Sequence, residues 1–133
     1  PTTRRVYVND RDNGRVQVFD EDGNYLDEWQ FWSGRRGQPQ DIHSFIVTSD
    51  QKLWAADQGT HKILGYDLDG YFLYSWGSWG EYPGGMWGVH GMSTDNEGNF
   101  YTASVNNGRI QKFRPREGAN PEFLIGKPWP GAW

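Results

Sequence analysis

The chain has 133 residues, a formal net charge of −4, no Cys, and an apolar content of only 35% beside 17% aromatics. That length suits one modest domain, and the missing Cys excludes a disulfide framework and thiol chemistry. The acidic balance argues against a nucleic-acid partner, and no apolar run approaches the roughly 18 residues of a membrane span.

Residues 5–9 alternate in polarity and predict a half-buried strand ending at Asp10. Asp12-Asn13-Gly14 is a turn signal, residues 15–20 alternate again, and Glu21-Asp22-Gly23-Asn24 turns into a third strand over 25–30. Residues 33–40, polar and rich in Gly and Pro, form a connector. The next unit holds four strands, HSFIVTSD, KLWAAD, HKILGYD and YFLYSWG, separated by Ser49-Asp50, Gln58-Gly59-Thr60 and Leu68-Asp69-Gly70. A glycine-rich connector over 80–88 leads to HGMSTD, NFYTAS and RIQKFRP. After an insertion, a fourth strand is expected over 122–126. The tail 127–133 contains two prolines and is expected to be extended rather than part of a ladder. No stretch of ten residues carries a helical pattern.

Sliding the sequence against itself by 47 residues aligns Tyr7, Trp54 and Tyr101, then Arg15, Lys62 and Arg109, then Phe19, Tyr66 and Phe113. Gly23/Gly70, Trp29/Trp76, Trp32/Trp79 and His43/His90 are identical at that spacing. Four short strands in each repeat match a β-propeller blade, so the fold class is all-β: four-stranded antiparallel blades. The blade units are about 5–32, 42–79 and 89–126, within a single partial propeller over 1–133. The first unit lacks its innermost strand. Unclosed blades leave apolar faces bare, so the remaining blades are expected from the same protein or from a symmetry copy. The start at Pro1 rather than Met reads as a processed product or a fragment.

The run DNGRVQVFDEDGNYLDEW resembles the NHL repeat, as does NNGRIQKF. A nearer resemblance is to the NHL-type propellers similar to bacterial peptidyl-α-hydroxyglycine α-amidating lyase. Their blades open with Pro-His-Gly-Ile/Leu and continue through Asn-x-Arg-Ile/Val-Gln-x-Phe. Ile42-His43-Ser44-Phe45, Val89-His90-Gly91-Met92 and Asn107-Gly108-Arg109-Ile110-Gln111-Lys112-Phe113 carry that likeness. So does the tail RPREGANPEFLIGKPWP. The resemblance implies the C-terminal half of a six-bladed ring, with a channel zinc held by histidines at this motif.

The residues themselves point the same way. His43 and His90 each open the first strand of a blade, the strand that lines a propeller's channel. One such His ordinarily closes a turn; two in register suggest ligands for zinc or another divalent cation, with Asp41 to hold the second ring nitrogen of His43. Arg11 is a candidate for binding a substrate carboxylate. At the loop positions where the lyase family places its acid–base Tyr, the chain has Arg11, Gln58 and Val105, so no catalytic residue is assigned. His61, Asp10 and Asp57 read as turn residues, and the recurring Arg15, Lys62 and Arg109 as packing or solvated cations. Two functions follow: a metal-dependent, lyase-like enzyme acting on a small or peptide-derived substrate, or a non-catalytic propeller that binds a protein or polymer partner. The composition suits a soluble protein and is compatible with secretion or a periplasmic location.

Overall fold

The computed structural model describes residues 4–31 and 41–128. It contains ten strands in three antiparallel sheets. The first comprises β1 (Arg5–Asp10), β2 (Arg15–Asp20) and β3 (Tyr25–Gln30), in that order. The second runs β4 (Ile42–Val47), β5 (Lys52–Asp57), β6 (Lys62–Asp67), β7 (Phe72–Trp76). The third has β8 (Val89–Thr94), β9 (Phe100–Ser104) and β10 (Arg109–Phe113), paired in the same sense. Each is a meander joined by tight turns. Between β1 and β2 a short 3₁₀ helix, Arg11–Asn13, ends on Gly14 at φ 64, a left-handed conformation that glycine enters at little cost.

The repeat holds at the level of the ladder. Tyr7 lies opposite Val18, Trp54 opposite Gly65 and Tyr101 opposite Lys112. Their burial differs, because strand side chains point alternately to the two faces of a sheet and, among the described residues, only the middle sheet is covered on both. Leu53, Ala55, Leu64 and Tyr66 pack against Val16, Val18 and Phe31 of the first sheet. Trp54, Ala56 and Ile63 pack the other way, onto Val89 and Phe100 of the third. Accordingly β5 is buried along nearly its whole length, whereas β2 and β9 alternate. Trp54 is wholly buried, but Tyr101, one repeat later, faces outward and is only half-buried. Val6 and Val8 on β1, and Ile110 on β10, are likewise exposed on the outer faces.

Gly65 makes room for the Trp54 ring. A Cβ there would come within 2.9 Å of Trp54 Cζ3. Gly65→Ala is therefore expected to destabilise by about 1–3 kcal/mol through overpacking. A urea midpoint equal to that of the parent protein would show that the ring moves aside freely.

Aspartates order the turns. Asp20 Oδ1 accepts the N–H groups of Asp22 and Asn24, and one repeat on Asp67 Oδ1 accepts those of Asp69 and Tyr71. Between β8 and β9, Asp95 makes the same turn. Hydrogen bonds from the Asn99 side chain first, then from backbone N–H groups and Tyr101 Oη, hold its pKa at about 2. A depressed carboxylate contributes stability that is fully present above its ordinary range near pH 4 and is lost as pH falls toward 2. Asp95→Asn should flatten that part of the acid-side stability curve, as read from urea midpoints between about pH 2 and 5. An unchanged pH dependence would count against this role.

The third unit departs from expectation. No fourth strand forms over 122–126; a 3₁₀ helix, Pro121–Phe123, stands there instead, capped by the Asn120 side chain. Pro115, Pro121 and Pro128 lack ladder donors. The segment is drawn across to the middle sheet: Lys52 Nζ donates to the Glu122 carbonyl, Ser49 N to the Lys127 carbonyl, and Phe123 packs on Tyr74. Pro128 bridges Thr48, so the tail touches a ladder end; residues 129–133 lie outside the described residues. No helix among the described residues is long and apolar enough to cross a membrane.

Candidate metal centre

β4 and β8 lie side by side as the innermost strands of their sheets. The segments entering them share one end of the fold with the loops between second and third strands. Gln58 N donates to the Asp41 carbonyl, and Val105 N to the Gly88 carbonyl. His43 and His90 open β4 and β8 at that end. Each is the extra residue of a β-bulge: pairing steps from Ile42–Asp57 to Ser44–Ala56, and from Val89–Ser104 to Gly91–Ala103. A bulge re-aims one side chain out of the alternating pattern. The same bulge one repeat apart aims both imidazoles at one point.

The ring centroids are 4.1 Å apart and nearly perpendicular, with His43 Nδ1 2.5 Å from His90 Nε2. That is shorter than an ordinary nitrogen–nitrogen hydrogen bond, so the two lone-pair positions compete for one site. A single proton or a single cation between them answers that convergence. Two nitrogens on one tetrahedral zinc at about 2.0–2.1 Å each would stand roughly 3.3 Å apart, a side-chain adjustment of under ~1 Å. On its other side, His43 Nε2 is buried and lies 3.2 Å from Asp41 Oδ1, off the line of a true hydrogen bond. Arg11 Nε donates to the same Oδ1 at 3.0 Å. Arg11, Asp41, His43 and His90 thus form one chain of contacts.

Partial burial pushes the Asp41 carboxyl up, but its close polar contacts with Arg11 and His43 outweigh that and hold its pKa below the ordinary value. Partial desolvation of the otherwise exposed His90 first, then the charges of His43 and Arg11, lowers its pKa. That shift favours the neutral imidazole, the form that ligates a metal. The donor set suits zinc or another borderline cation. Among the described residues no third His, Cys, Asp or Glu completes a metal-binding group with the pair.

Residues 2–77 match the model of a family described as a 6-bladed beta-propeller. The chain belongs to that family. No curated protein matches the sequence of this propeller chain. Its fold is shared by solved structures at low identity. A streptogramin B lyase structure is 16% identical, with a TM-score of 0.59 over 89% of this chain and 40% of that one. A catalytically inactive virginiamycin B lyase from Staphylococcus aureus with quinupristin is 15% identical, with a TM-score of 0.55 over 86% and 39%. A protein from Lactobacillus plantarum is 16% identical, with a TM-score of 0.56 over 92% and 42%. The propeller chain therefore spans about two fifths of the length of these solved chains.

Arg11 is engaged by Asp41 rather than free. Asp57 caps its turn, accepting the N–H groups of Gly59 and Thr60, and Asp10 pairs with Arg15. His61 stands in the loop before β6 at φ 55 and does not join the histidine pair. Trp29 and Trp76 pack into the two cores, while Trp79 is exposed against Trp87. Trp32, Trp129 and Trp133 lie outside the described residues.

Arg109 does more than its repeat position suggested. Its guanidinium donates to the carbonyls of Glu81, Tyr82 and Gly85, and Gln111 adds bonds to Gly84 and Gly85, so the pair clasps the connector that delivers His90. Arg109-x-Gln111 was the only available signal, and it looks like any surface pair on a strand.

Proposed function

We propose that this chain forms part of a six-bladed ring of the NHL type, whose axial histidines His43 and His90 bind a divalent cation, zinc by donor preference. The ring would act in a lyase-like manner, as amidating lyases do, on a small or peptide-derived substrate at the channel mouth. The observation that carries this reading is the pair of matching bulges that bring two imidazole nitrogens to one point. The lyase descriptions of two structural neighbours support it at the level of fold. The exposed valines of β1 and Ile110 of β10 support a ring completed by blades of the same protein or a second copy.

The residues have distinct tasks. His43 and His90 hold the cation. Asp41 orients the His43 ring through its far nitrogen, and Arg11 holds Asp41. A substrate carboxylate reaching Arg11 would have to share it with Asp41. When bound, such a cation polarises a substrate oxygen or acidifies a bound water.

Elemental analysis of the intact protein after dialysis against a metal-free buffer tests this. About one zinc, or one other divalent cation, per axial site is expected. No stoichiometric metal would overturn the enzyme reading. The alternative is a non-catalytic propeller that holds a protein or polymer partner, and a specific feature favours it: the connector presents Trp79 and Tyr82, each more than half exposed, beside the channel end of β8.

A further inference from the structure

A cavity lies at the opposite edge of the sheets from the histidines. It occupies about 410 Å³ between β7 and β10, where the segment after β10 swings away. β7 and β10 are the strands of the middle and third sheets farthest from β4 and β8. Its walls are aromatic. Trp76 packs edge-on against Phe100 at 5.6 Å and Phe113 at 5.2 Å, and Phe123 closes one side. The volume is that of a small-molecule site, in the usual range of roughly 300–1,000 Å³.

Two cations also line this cleft, Arg114 and Arg116. Neither has a carboxylate partner among the described residues. Arg4, Arg5, Arg11, Arg15, Lys52 and Lys112 each face one. Arg109 is satisfied by backbone carbonyls. Lys62 and Lys127 also lack a carboxylate among the described residues, and neither lines the cleft. In a chain of net charge −4, two unmatched guanidinium groups on one aromatic cavity are a specific feature. Guanidinium favours carboxylate through planar, paired N–H donors, and an aromatic wall favours an apolar body.

We propose that this cleft binds a small apolar acid, a carboxylate carried on an aryl or short acyl body, at a site separate from the axial histidines. The aromatic cluster takes the body, and Arg114 and Arg116 take the charge.

The test titrates the intact protein with phenylbutyrate and with phenylbutanol, its neutral counterpart, by calorimetry and by amide chemical shifts. The acid is expected to bind at least about fivefold tighter, with an advantage that shrinks as salt rises. Shifts should centre on Gly98, Phe100 and Phe113. Arg114→Gln with Arg116→Gln should reduce the acid to the affinity of the alcohol and leave the alcohol unchanged. Phe123→Ala, at an exposed position, should weaken both. His43→Ala should alter neither. Equal affinities for acid and alcohol would overturn the proposal. So would a preference that survives the double Gln variant, shifts centred elsewhere, or no binding at millimolar ligand.

Discussion

Trp54→Ala is expected to cost about 3–5 kcal/mol, the range for deleting a large buried ring. Trp54 is wholly buried in the core between the middle and third sheets, edge-on to Tyr74 at 5.3 Å. Its indole N–H donates to Thr48 Oγ1, which also bonds Asp50. A domain of ordinary stability has about 5–15 kcal/mol in all, so this one change would remove much of it. Tyr101→Ala, at the same ladder position one repeat later, is expected to stay within the ~0.5–3 kcal/mol of ordinary substitutions, because its outer face is half-exposed. Urea unfolding of both variants checks the contrast. Equal costs would mean that the Tyr101 face is covered as fully in the intact protein as the Trp54 face is here, and that outcome would add a neighbouring blade to the third sheet.

His43→Ala and His90→Ala are each expected to abolish stoichiometric metal binding while leaving the far-ultraviolet spectrum unchanged. Neither ring belongs to the two apolar cores. Asp41→Asn keeps the shape and removes the charge facing His43 Nε2, so it should weaken metal affinity by about 10–100-fold, as loss of a ligand's orienting partner does. pH gives an independent readout. The His90 pKa lies below its ordinary value of about 6.5, so protons compete for this nitrogen only at more acid pH. Metal affinity should fall as pH is lowered below the ordinary imidazole range. Affinity that already declines between pH 8 and 7, or metal retained by His43→Ala, would remove the histidine pair from the site.

The sequence alone determined the class of fold and most of the strand order. Period-two alternation and the Asp- and Gly-bearing turns are local properties, and β2, β5 and β6 lie where they put them. The 47-residue register was legible for the same reason: ladder positions such as Tyr7, Trp54 and Tyr101 depend on each blade alone. That register also placed His43 and His90 at equivalent positions. Only the tertiary structure decided the rest. Burial at equivalent positions depends on which neighbour covers a face, so Trp54 and Tyr101 differ although their ladders match. The bulges that aim the two imidazoles at each other leave no mark on composition, because a bulge is a relation between two strands. The chain of contacts from Arg11 through Asp41 spans 30 residues, and the Arg109 clasp on the 80–85 connector is equally non-local. The diversion of residues 114–128 onto the middle sheet was hidden by an apolar run, Phe123-Leu124-Ile125, that reads as a strand. Alternation states that such a run must be buried, and contacts from another sheet decide where.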